Sequence, residues 1–188
     1  MARVAMGPAE PTDPILRPIL DEMRVARGAS FALPHLYRVI GLAPPMLRAW
    51  VDFAWPLRLQ ATSSRRVREL LILRGAQLSK TNYEWTHHIT LALQAGVPQQ
   101  QIDALEDWKS SALFGDAERA ALRLADEMTA GPATAECIEN LKQHFSEAEV
   151  VELVLTASFY VCVSRFLKSM DVTLEPGYEA LRPTKDLT

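Results

Sequence analysis

Cysteine is scarce in this chain. Cys137 and Cys162 are the only two among 188 residues, too few for a disulfide scaffold. Cys162 lies in an apolar run, where buried thiols are common, so both are expected to be reduced and the compartment cytoplasmic. Positive charge is not in excess either: 20 Lys and Arg face 23 Asp and Glu, for a net charge of −3. No basic patch of the kind that grips nucleic acid is present. Long apolar runs are also missing. The most apolar stretch, 150–163, has 14 residues and includes Glu152, against roughly 20 for a bilayer span. The opening MARVAMGPAEPTDPILRP has no apolar core of the signal-peptide type. Neither nucleic acid nor membrane is therefore an expected partner. Strand signals are absent as well, with no period-two alternation and no Asn-Gly turn, and no strict repeat occurs.

What is present is a 48% hydrophobic composition, enough to bury a core, laid out with helical periodicity. The reading is all-α, one compact bundle of about six to eight helices over 15–170. Residues 1–14, with three prolines, read as a flexible arm, and 171–188 as a tail. Helices are expected over 15–28, within 31–45 before Gly41, and over 46–59 with a break at Trp55–Pro56. A helix over 63–79 has Ser63 or Ser64 as N-cap, and one over 81–96 is closed by Gly96. Further helices are expected at 98–108, 116–132, 134–146 and 146–170. The last opens on a Ser146–Glu149 capping box.

Two of these helices carry polar residues on apolar faces. On 63–79, Glu69 shares a face with Ile72, Leu73 and Ala76 at helical spacing. A buried carboxylate is driven toward its neutral form unless a cation is near, and such a group handles protons near neutral pH. An ion pair back to Arg65 or Arg66 explains the same residue structurally. On 81–96, Trp85, His88, Ile89, Ala92 and Ala95 form the inward face, with His87 nearer the edge beside Glu84 and Leu91. Glu84 has two readings: an acid/base group, or the far half of a Thr81–Glu84 capping box. Glu84-x-x-His87 also has the spacing of carboxylate-bridged di-metal bundles, but no second copy occurs and His35 and His144 stand alone. No metal and no cofactor are expected.

The run RRVRELLILRGAQLSKTNYEWTHHITLALQAGVPQQQIDAL, 65–105, resembles the carboxymuconolactone decarboxylase family, which includes the AhpD-like alkylhydroperoxidases. Glu69, Tyr83-Glu84-Trp85, His88, Ala92, Ala95 and Gly96-Val97 carry the resemblance, and 147–167 resembles the family's long C-terminal helix. The resemblance implies a helical bundle assembled as a homo-oligomer: a dimer, trimer or hexamer. It also implies a departure. The peroxidase branch has a Cys-x-x-Cys pair where this chain has Thr81 and Glu84, so thiol peroxidase chemistry is not expected. What is left is a proton-handling set resembling the decarboxylase branch. Glu69, Glu84 and His88 are the catalytic candidates, with His88 as proton shuttle oriented by Glu69. Tyr83, Trp85 and His87 are expected to shape the pocket, and Arg74 or Arg165 to grip the carboxylate of a small anionic substrate. The alternative is a relic of the peroxidase branch that binds a small molecule, or serves as a structural oligomer, and catalyses nothing.

Overall fold

The computed structural model describes residues 2–178. Among them run nine helices and no strand: α1 Leu16–Arg27, α2 His35–Ile40, α3 Pro44–Leu59, α4 Arg65–Leu78, α5 Asn82–Gln94, α6 Gln99–Asp103, α7 Asp116–Ala130, α8 Ala135–Lys142 and α9 Glu147–Met170. The all-α reading holds: each of the nine helices falls on a segment expected to be helical, one more than the bundle count of about six to eight. The expected 98–108 helix is regular only over Gln99–Asp103, and α8 ends at Lys142.

Stop signals act where the sequence puts them. Gly96 takes φ +84 after α5; the Val97 N–H reaches Ala92 O at 2.9 Å and the Gly96 N–H reaches Leu93 O at 3.0 Å, the two bonds of a Schellman motif. At α9 the Ser146 hydroxyl accepts from the Glu149 N–H, and the Glu149 carboxylate accepts from the Ser146 N–H at 2.8 Å. The expected break at Pro56 does not occur, and α3 runs through it. Pro56 deprives only the Asp52 carbonyl of a partner, and both residues face solvent, where water can replace the lost bond. Neither Ser63 nor Ser64 caps α4 with its side chain. The Glu152 carboxylate of α9 instead accepts from the Thr62 and Ser63 N–H groups at 2.9 and 2.7 Å.

α4 is the centre of the bundle, packed against α7, α5 and α9. Its residues 67–73 are all buried, so it has no solvent face over those two turns. One core cluster gathers α1, α2, α3 and α9 with the Leu71 side of α4. A second, smaller one holds Leu70, Leu73, Trp85, Ile102 and Trp108. α9 is long and apolar enough, by length and composition, to cross a membrane, but half of its most apolar window is buried inside the fold. Leu153, Ala157, Tyr160 and Val163 supply that buried face. Cys137 is buried, whereas Cys162 points outward, against expectation, because its position falls on the face of α9 opposite Tyr160 and Ser164.

The expected flexible arm is pinned. The Arg3 N–H bonds Met170 O at 2.8 Å, and Gly7 exchanges bonds with Arg38, whose Nε reaches Gly7 O at 2.7 Å. A Cβ on Gly7 would lie 2.7 Å from the Arg38 carbonyl oxygen, so this approach requires glycine. At the other end, 171–178 lies along the fold as a strap, with Val172 buried. The remainder of the expected tail lies outside the described residues.

Ser146→Ala removes the side-chain half of the α9 cap and is expected to lower stability by about 1 kcal/mol. Urea unfolding followed by circular dichroism checks this, and an unchanged midpoint would show that the cap contributes nothing.

Candidate active site

Because α4 is buried all round, Glu69 has no route to water. It is 0% exposed. Both of its oxygens are nonetheless engaged: Oε1 pairs with Arg65 one turn back on α4, and Oε2 accepts from His88 Nδ1 at 2.7 Å across the α4–α5 contact. The structural ion pair and the histidine contact are thus both present. Burial works to raise the Glu69 carboxyl, but His88 and then Arg65 and Arg58 outweigh it, and the net direction is down. Burial pushes the His88 imidazolium down against the pull of Glu69. The pair therefore rests as a carboxylate and a neutral imidazole with the proton on Nδ1, leaving Nε2 with a lone pair. An edge-on contact with Tyr160, ring centroids 4.9 Å apart, fixes the ring from the other side.

Glu84, one turn before His88, settles differently. It does not cap α5, and Thr81 makes no side-chain cap either. Instead the carboxyl turns inward, 2% exposed, and Oε2 accepts from the Ser164 hydroxyl of α9 at 2.7 Å. Its Oε1 has no hydrogen-bond partner. Burial pushes this carboxyl up to about 8, against the smaller effects of Ser164 and Arg58. At neutral pH Glu84 is an uncharged acid.

Glu84 and His88 both line a cavity of about 250 Å³ bounded by α1, α2, α3, α5 and α9. Tyr83 and His87 line it too, as expected, while Glu69 stands behind His88. At the rim the strap closes over α5. Glu175 accepts from the His35 N–H at 2.5 Å and from the Tyr83 hydroxyl at 2.7 Å, and its other oxygen meets His87 Nε2 at 2.8 Å. Burial works to raise that carboxyl, yet these partners hold it down at about 2. Tyr178 stacks on His87, centroids 4.5 Å apart, and completes the wall.

Three expected residues fall elsewhere. Trp85 packs in the second core cluster, because its position turns it toward α4 and α6 rather than toward the cavity. Arg74 bonds Asp126 at 2.6 Å, Gln77 and the Leu105 carbonyl, which take up Nε and Nη1 and hold the side chain away from the cavity. Arg165 is exposed on α9, and neither arginine lines the cavity. Two cations line it: Arg27 of α1, exposed and 5.5 Å over the Phe31 ring, and, deeper, Arg58 of α3, which donates to the hydroxyls of Tyr37 at 2.8 Å and Tyr160 at 3.2 Å. Arg58, Tyr160 and Ser164 were missed by sequence reasoning. The i, i+4 spacing of Tyr160 and Ser164 on the inward face of α9 was the available signal. Among the described residues no group of His, Cys, Asp and Glu could hold a metal ion.

Residues 44–127, which include Arg58, Glu69, Glu84 and His88, match the model of the carboxymuconolactone decarboxylase family. Over that stretch the chain resembles the family. The chain is 28% identical over 117 residues to the uncharacterised protein YdfG of Bacillus subtilis, covering 61% of this chain and 79% of that one. Solved structures share its fold. The debrominase Bmp8, crystallised as a cysteine-to-alanine variant in complex with 2,3,4-tribromopyrrole, superposes with a TM-score of 0.77 at 19% identity, covering 96% of this chain and 97% of that one. An uncharacterised peroxidase-related protein with an alkylhydroperoxidase AhpD core, from Ralstonia eutropha, gives 0.79 at 15% identity and 94% coverage of each. A putative antioxidant defence protein AhpD from Agrobacterium tumefaciens gives 0.67 at 20%, covering 73% and 95%. At these identities the likeness establishes the AhpD-like fold. The chain has no cysteine pair at this site: neither Cys137 nor Cys162 lines the cavity.

A carboxyl held at about 8 in the fold, and returning to its ordinary 4.5 when unfolded, favours the fold fully below pH 4.5. That contribution is lost as pH rises toward 8. Glu84→Gln removes the titration, so its stability should fall less steeply between pH 4.5 and 8 than that of the native chain. Denaturant titrations at pH 5 and 8 check this, and parallel slopes would mean that Glu84 is already ionised in the fold.

Proposed function

We propose that this protein is a cofactor-free, carboxy-lyase-like enzyme that works by acid/base chemistry on a small carboxylated or lactone substrate. The observation that carries the reading is that one cavity wall holds both Glu84, buried with a single hydroxyl donor, and His88, hydrogen-bonded to Glu69; burial drives the first toward a neutral acid and the second toward a neutral imidazole. Groups whose surroundings push their pKa values apart make a matched acid and base. Thiol chemistry has no support, since the cavity holds no sulfur nucleophile.

In this reading the C–C bond to the substrate carboxylate breaks, CO₂ leaves, and the electron pair moves through the conjugated frame to a carbonyl oxygen. Glu84 gives that oxygen its proton as charge develops there, which a neutral acid in a dry site does well. His88 then relays a proton from solvent through Nε2 to the substrate carbon, while the enol returns its proton to Glu84. One proton is consumed for each CO₂ released. Glu69 keeps the His88 ring in one tautomer and orientation, as a positioning residue. Assembly as a homo-oligomer belongs to the same proposal, supported by exposed Met46 and Phe53 on α3 and Val151 and Leu155 on α9. Light scattering should then give a mass that is a multiple of 21.0 kDa, and a monomer mass would refute it.

The test is a screen of lactones and β-keto acids from aromatic catabolism for CO₂ release, with a hydroperoxide control. On any substrate found, Glu69→Gln and His88→Ala should lower turnover by roughly 10²–10⁴-fold while circular dichroism stays native. Activity within a few-fold of native in both variants would remove them from the mechanism. A native chain that binds these compounds and turns over none of them would be a binding protein.

A further inference from the structure

Arg58 is a cation without a counter-ion bonded to it. Its Nε and Nη1 donate to two neutral phenols, Tyr160 and Tyr37, and among the described residues no carboxylate forms an ion pair with it. Its charged neighbours do not balance it. Glu69 is already shared between Arg65 and His88, and Glu84 is uncharged at neutral pH. At the rim, Glu175 is occupied by Tyr83, His87 and the His35 amide. The inner site therefore carries one positive charge in excess, held where water is limited, and an unpaired charge there is costly until an anion joins it. Nη2 of Arg58 remains to donate to that anion. A second feature lines the same space: Glu84, buried, with Oε1 unpartnered. As an acid it has one O–H to give, to an oxygen that is itself neutral. A second carboxylate placed against it would force two acids to share one desolvated site.

The walls set the shape. Phe31, Tyr37, Trp55, Tyr83 and Tyr160 present rings to a cavity of about 250 Å³. That lies below the range of ~300–1,000 Å³ typical for drug-sized ligands, and it suits one flat ring with its substituents. Stacking between aromatic faces favours a planar, unsaturated frame over a puckered one.

We propose that the cavity takes a planar, conjugated monocarboxylate, its carboxylate on Arg58 between Tyr37 and Tyr160 and a neutral oxygen on the Glu84 acid. The proposal deepens the acid/base reading by naming its substrate class, and rests on it for the protonated state of Glu84. It also moves the anion-gripping role from Arg74 and Arg165 to Arg58, whose part is to hold substrate.

Calorimetric titration of the full chain at pH 7 with four probes tests it. Benzoate should bind at least about tenfold more tightly than benzamide, which lacks the charge, cyclohexanecarboxylate, which lacks the flat ring, and terephthalate, which adds a second charge. Arg58→Gln should lower benzoate affinity by about tenfold or more and leave benzamide unchanged. If that variant does not fold, the native four-probe series decides alone. Benzamide or cyclohexanecarboxylate binding as well as benzoate, or terephthalate binding better, overturns the proposal. The two readings fail separately. Selective benzoate binding with no CO₂ release from any flat acid removes the catalytic reading only. CO₂ release from a dicarboxylate, without benzoate preference, removes this one only.

Discussion

The Glu69–His88 hydrogen bond joins the two helices on which the rest of the site depends. α4 has no solvent face over 67–73, so a carboxylate on it must find its partners inside the protein. Arg65 on its own helix and His88 on the next supply them. A leucine at position 69 would pack in the same space. What the carboxylate adds is orientation: it holds one imidazole nitrogen and leaves the other free. The ring cannot rotate without leaving a buried charge half-satisfied, which gives the contact more structural authority than its length suggests.

Around that bond, burial acts on neighbouring groups with different results. Glu69 remains ionised because two donors meet it. Glu84, one helix away and as deeply buried, has a single hydroxyl from Ser164 for company and is driven up to about 8. His88 is pushed to neutrality by the same desolvation that raises Glu84. Nothing in the residue types distinguishes the two glutamates; the count of donors reaching each carboxyl does. The comparison with Glu175 extends the point. Three donors at the rim hold that carboxyl down at about 2, and they tie the end of the described chain to α5.

Much of this was legible before the fold was known, for a definite reason. Helix periodicity decides which side chains turn inward, and Glu69, His88 and the apolar residues beside them fall on one face at i, i+3, i+4 spacing. Gly96 and the Ser146–Glu149 pair announce helix ends through local chemistry that needs no distant partner. The failures are of one kind as well. Glu84 satisfied a local capping pattern, yet its carboxyl went to Ser164, 80 residues away. Ser64 stood where a cap belongs, and Glu152 of α9 took the neighbouring amides. Pro56 promised a break that a solvent-facing position made unnecessary. Each time a long-range partner or the direction of solvent overrode a local preference.

From its residues alone the chain is committed to helices, to an inward-facing carboxylate and imidazole, and to chemistry without a thiol pair. These follow from periodicity and from which atoms are present, and both are properties of the chain itself. Only the packed structure decides that Arg58, Tyr37 and Tyr160 converge from three helices, that Arg74 is taken up by Asp126, and that a strap from 171–178 closes the rim. Those outcomes depend on which elements meet and how many donors reach each buried group, and contacts between residues far apart in sequence carry no local signature.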